Sequence, residues 1–120
     1  MNEIEIINNL VSKELWFDFE IKSYDGFTLI IIGGIDLYYR WLVEITFSDV
    51  SFILLKSDWK ANSALKAIEI IDNENAKNIK DLYYIEDNAL LFSLNHEDVD
   101  ADNANRYFIA AKQISYKLNN

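Results

Sequence analysis

Asp18 and Glu20 are the residues of this chain best spaced for acid–base chemistry. They sit two apart in WFDFEIKSYDGF, and side chains two apart on a strand point to the same side. Carboxylates that work on either side of a sugar stand roughly 5–10 Å apart, a separation that same-face neighbours approach. The plainer reading is the wet side of a hairpin, where acidic residues are common. A deep pocket holding both would argue for an enzyme. The expectation is that neither is catalytic.

The other chemical candidates are weaker. His96 is the single histidine. It cannot build a multi-His metal site, no nucleophile signature lies near it, and the end of a strand or a polar loop is its expected place. DVDADN, residues 98–103, alternates carboxylates as a calcium loop does, but Asn103 stands where the loop needs Gly and Ile109 where it needs Glu. IIIGGID has two glycines but no dinucleotide or phosphate-loop pattern. Tyr38, Tyr39 and Trp41 alternate along one segment, so they suit packing better than a stacking platform. With no Cys there are no disulfides, zinc–thiolate sites or thiol nucleophiles. No metal and no cofactor are expected.

These residues must be positioned by a chain of 120 residues, about one domain. At 51% hydrophobic and 14% aromatic it can build a core. The net charge of −9 repels phosphate backbones and anionic lipid, so neither nucleic acid nor a membrane is an expected partner. A basic protein would be attracted. The opening MNEIEIINNL lacks the basic start of a secretory signal, and the longest uncharged apolar run, FTLIIIGGI, is too short to span a bilayer. A cytoplasmic protein is expected. Abundant Ile, Asn and Lys with no Pro match AT-rich bacterial coding.

Apolar spacing at Ile4, Ile7, Leu10 and Val11 predicts a short amphipathic helix. Residues 16–24 alternate as a strand. Asp25-Gly26 predicts a two-residue hairpin turn, and residues 27–32, apolar on both faces, a central strand. Gly33-Gly34 predicts a second turn and residues 37–47 a third strand, with 50–56 either a fourth or an extension of the third past a bend at Ser48-Asp49. Residues 64–72 favour a helix capped by Asn62 or Ser63, with a strand as the alternative. Residues 82–95 suggest a hairpin about Asp87-Asn88. Residues 106–118 fit both periods, and their Tyr, Phe and Ile content favours a strand. The fold class is α+β: an antiparallel β-sheet meander with one or two short helices packed on it, in a single domain spanning 1–120.

Two-residue turns would fix the register. Tyr24 would then oppose Phe27, Lys22 oppose Leu29 and Glu20 oppose Ile31. Across the second turn, Ile32 would oppose Ile35, Ile30 oppose Leu37 and Thr28 oppose Tyr39. One face would be core. The other would have an apolar centre of Phe27, Leu29, Ile31, Tyr38 and Leu42, ringed by Asp18, Glu20, Asp36 and Glu44 with Lys22 and Arg40. Such a face needs a cover: a helix of this chain, a second copy or another protein.

WFDFEIKSYDGFTLIII followed by LVEITFSDVSFILL resembles small bacterial immunity-type proteins of polymorphic-toxin systems and related domains of unknown function. Trp16, Asp18 and Ile21 match the first element of that pattern, and Phe47, Asp49 and Val50 the second. Phe17 stands where the family has His, and Phe19 where it has a small residue. The resemblance implies a sheet protein without enzymatic activity that binds and blocks a cognate toxin. Asp18, Glu20, Asp36, Tyr38 and Glu44 are the expected partner-binding residues for a basic toxin domain. The alternative is a homodimer without a toxin partner, in which the same patch self-associates.

Overall fold

The computed structural model describes residues 2–38, 40–62, 64–97 and 106–119. It has two helices and nine strands in two antiparallel sheets, the α+β class expected. Helix α1 (Glu3–Ser12) starts where the Asn2 side chain accepts from the Glu5 N–H at 2.9 Å. Glu3 and Glu5 in its first turn suit the helix dipole. Its stripe buries Ile7 and Val11, as the spacing predicts.

Strands β1 (Asp18–Tyr24) and β2 (Thr28–Gly34) form the first hairpin. Its turn is wider than expected. Asp25 Oδ1 accepts from Phe27 N at 2.9 Å and Thr28 N at 2.7 Å, and Gly26 takes φ +98°. Tyr24 therefore pairs with Leu29, not Phe27. A bulge between Ile21 and Ser23 takes back one of those two residues, so Glu20 pairs with Ile32 instead of Ile31, a net shift of one.

An odd shift flips faces. Leu29 and Ile31, expected at the centre of an open face, are fully buried, while Phe27 is exposed at the hairpin tip. The expected apolar patch therefore loses Leu29 and Ile31 to the core and keeps Phe27 and Tyr38 exposed.

Gly33 and Gly34 are likewise strand residues, not a turn. A Cβ on Gly33 would lie 2.6 Å from Phe17 Cε1, and one on Gly34 would lie 3.1 Å from Leu42 N. They are glycines because aromatic rings press on one side of β2 and a returning loop presses on the other. The connection, residues 35–42, replaces most of the expected third strand. β3 (Val43–Ser48) starts only where Val43 opposes Gly33. The pairing of Ile32 with Ile35 and of Ile30 with Leu37 is thus also replaced, and Tyr39 lies outside the described residues.

Beyond β3 the chain bends at Asp49 (φ 55°) into β4 (Phe52–Leu54), then returns as β5 (Asp58–Lys60). β6 (Ile68–Ile71) is a strand where a helix was favoured. Its β-branched residues pair with β7 (Leu90–Leu94), and Asn62 Oδ1 accepts from Ala64 N in a turn instead of capping a helix. The second helix, α2 (Glu74–Tyr83), follows and is capped by Asn73. It occupies the first part of the hairpin expected over 82–95. Asp87-Asn88 joins helix to strand there, held by Lys80 Nζ donating to Asp87 O at 3.1 Å. Residues 106–118 are extended, as favoured, but Lys112 divides them into β8 (Tyr107–Ala111) and β9 (Gln113–Leu118).

One sheet runs β5-β1-β2-β3-β9 and the other β4-β8-β7-β6. The β3–β9 ribbon passes into the β4–β8 ribbon at a shared corner, where Lys112 N donates to Ser48 O and Ser51 N to Ala110 O. The main core lies between the sheets, with Phe47 edge-on to Phe92 at 5.1 Å, and α1 contributes to it. α2 covers the outer face of the second sheet over Leu91 and Ala110. No helix among the described residues is long and apolar enough to cross a membrane.

Candidate functional site

Cross-strand pairing places side chains in rows on the outer face of the first sheet. One row reads Asp58, Glu20, Ile32, Glu44, Lys117, and the next begins Lys60, Asp18, Gly34. Asp18 and Glu20 therefore share a side, as their spacing requires, and β5 sets Lys60 and Asp58 beside them. Residues 35–42 fold back over this face. Leu42 N donates to Gly33 O at 2.8 Å, and Tyr38 N donates to Asp36 Oδ1 at 3.1 Å.

A groove of about 430 Å³ follows the β5 edge. Asp18, Glu20, Asp58 and Glu97 line it with Lys56, Lys60 and Leu37. Its floor is aromatic. Tyr107 stacks on His96 at 4.0 Å and meets Trp59 edge-on at 5.7 Å, and Trp59 stacks on Phe19 at 5.5 Å. His96 lies two residues past the end of β7 and is buried, so it packs at a strand end. Burial raises the Asp18 carboxyl above its ordinary range. Lys60 opposes this, while Glu97, Asp36 and Asp58 add to it.

Beside the groove lies an exposed aromatic ridge. Trp16, about half exposed, donates through Nε1 to Ile35 O at 3.0 Å. Tyr38, at 90% relative exposure, projects from the same loop. Asp36 links ridge and groove, because its charge acts on Asp18.

Comparison with family models, curated proteins and solved structures yields no match to this chain.

Of the five expected partner-binding residues, four come together. Asp18 and Glu20 line the groove, and Asp36 and Tyr38 flank it. Glu44 stands apart. It is in the row of Glu20, two strands away, roughly 10 Å by strand spacing. Its carboxylate pairs with Lys22 Nζ at 2.7 Å, and Lys22 lies 5.1 Å from the Trp41 ring centre. The sequence reading missed Trp16, Asp58 and Glu97 as site residues. Asp58-Trp59-Lys60 carried a signal: a buried aromatic between opposite charges is how a short edge strand reads. Residues 98–103 lie outside the described residues. Among the described residues no group of three or more His, Cys, Asp or Glu is placed to hold a metal ion.

Proposed function

We propose that the chain is a non-enzymatic binding protein of the immunity or inhibitor type, which holds and neutralises a basic toxin domain in the cytoplasm. One observation carries this reading. Asp18, Glu20, Asp36, Asp58 and Glu97 converge beside the exposed Trp16–Tyr38 ridge. Large aromatics within a charged rim are how binding energy is concentrated at interfaces. The overall charge of −9 steers a basic partner in, and the rim fixes its orientation. The Trp16 ring is already tethered to Ile35, so it loses little freedom on binding. The resemblance of residues 16–21 and 47–50 to immunity-type proteins points the same way.

The direct test is co-purification with the product of the adjacent upstream gene and rescue of cells expressing it. Failure of both would sink the reading. Given a partner, Tyr38→Ala weakens binding roughly tenfold or more, with little change in stability because the ring is exposed.

The same groove favours one competing reading. Asp18 keeps its proton to higher pH, as a general acid needs, and Glu20 lines the groove with it. That is the start of a carboxylate hydrolase. Turnover of an oligosaccharide panel that Asp18→Asn abolishes would establish it, and absence of turnover removes it.

A further inference from the structure

The groove at the β5 edge carries more negative charge than the fold neutralises. Asp18, Glu20, Asp58 and Glu97 bring four carboxylates to it, against two ammonium groups from Lys56 and Lys60. Among the described residues, none of these four carboxylates is within ion-pair distance of a lysine or arginine. Strand pairing holds three of them in place. Glu20 is set beside Asp58, and Asp18 beside Lys60. Like charges directly opposite each other, as Glu20 and Asp58 are, work against a sheet.

A second feature is independent of charge. Trp59 keeps only 7% of its surface, and its indole N–H has no hydrogen-bond partner among the described residues. The nitrogen is not sealed in the core, unlike Ser93 Oγ, Asn95 Oδ1 and Arg106 Nε, which are buried and unpartnered. Phe19 stacks on the Trp59 ring and Tyr107 meets it edge-on, so what stays open of this side chain faces the groove it lines. A buried indole N–H usually finds an acceptor. Here an occupant of the groove would bring it.

We infer that the groove seats an arginine of the partner chain, with its guanidinium against Asp18, Glu20 and Asp58 and a carbonyl of the same segment accepting from Trp59 Nε1. The inference rests on the binding reading and names what the groove takes from that partner. A guanidinium fits better than an ammonium for two reasons. Its fork of donors matches several carboxylates at once. Its flat face suits a floor of stacked rings, where Tyr107 and His96 lie within 14° of parallel. A neutral ligand would leave the excess charge in place, and an anion would add to it. The volume of about 430 Å³ admits the side chain together with main-chain atoms beside it.

N-acetyl-arginine-N-methylamide, which carries the guanidinium and two carbonyls, tests the seat. It is titrated into the full chain while the indole N–H resonances of the three tryptophans are followed. The Trp59 signal is expected to move downfield and to saturate at roughly millimolar ligand. The Trp16 signal stays in place, because that N–H is already bonded to Ile35 O. The lysine analogue binds about threefold more weakly or worse. The citrulline analogue, which keeps the shape and loses the charge, does not bind. Asp58→Asn, at an exposed position of β5, weakens binding about fivefold. Asp81→Asn removes the same charge from exposed α2 on the second sheet and leaves binding unchanged. No saturable shift at Trp59 overturns the inference. So does citrulline or lysine binding as well as arginine, an equal loss in Asp81→Asn, or a shift at Trp59 produced by maltose and not by arginine. These outcomes are separate from the partner test. A partner held at full strength by Asp58→Asn removes the arginine seat and leaves the binding reading standing. Arginine binding in a chain that neutralises no toxin keeps the seat and removes that reading.

Discussion

Asp18 and Asp25 are both carboxylates of the first hairpin, yet their surroundings move them in opposite directions. Two backbone N–H groups bond Asp25, which holds its carboxyl below the ordinary range. Its support for the turn is present above the ordinary Asp value and is lost as pH falls through the lowered one. Asp18 is the reverse case. Partial burial and three neighbouring acids raise its carboxyl, so the folded state holds the proton more tightly than the unfolded state. Stability from this group therefore declines as pH rises from about 3.9 through the raised value. Asp18→Asn is expected to stabilise the protein at pH 7 by well under about 1 kcal/mol, since the carboxyl keeps much of its water. Below about pH 3 the difference vanishes. Urea midpoints of both proteins at several pH values check this. If the groove binds a cation-bearing partner, the same substitution weakens that complex, so stability and binding move apart.

Gly33 gives a larger effect at the same scale. A methyl group there would press on the Phe17 and Phe19 rings at 2.6 and 2.7 Å, and both rings are buried. Gly33→Ala is expected to cost about 1–3 kcal/mol, as overpacking does. Gly34→Ala, whose nearest neighbour is at 3.1 Å, costs less. A two-residue hairpin at Gly33-Gly34 would predict a turn defect for both and no such ranking. Denaturation of the two variants separates these accounts.

At the scale of elements, α1 was legible because four apolar residues repeat at helical spacing. β1 and the second half of the expected 37–47 strand were legible because their alternation is long enough to exclude a helix. The register was not. One bulge and a turn stabilised by the Asp25 side chain moved every pairing of the first hairpin, and neither leaves a mark in hydropathy. That shift moved Leu29 and Ile31 of the expected patch into the core and left Phe27 and Tyr38 outside. Asp18, Glu20, Asp36 and Tyr38 survived as neighbours because adjacency in sequence and the fold of residues 35–42 keep them close. Glu44 did not, because its place depends on pairing. β6 was misread because AIEII suits both periods and a tertiary contact decides it. That contact is testable. Asn8→Ala leaves the Ile68 N–H and C=O half-buried and unpaired, at about 2 kcal/mol or more. It should also speed exchange of the Ile68 amide and, by opening the edge of β6, promote aggregation at high concentration. An unchanged urea midpoint and an unchanged Ile68 amide would show that the cap contributes nothing.

The whole molecule is polarised. Carboxylates gather at the β5 edge of the first sheet, and β9 at the other edge carries Lys117 and no acid. The edges are four strand spacings apart, roughly 19 Å, about twice the Debye length in physiological salt. Capture of a basic partner at the groove relies on unlike charge and weakens as salt screens it. Raising ionic strength from about 0.05 to 0.5 M shortens the Debye length from about 14 to 4 Å. Over that range the dissociation constant for the partner should rise, as titration calorimetry would read it. A partner affinity indifferent to salt would remove the electrostatic part of the binding reading and leave the aromatic ridge to account for it.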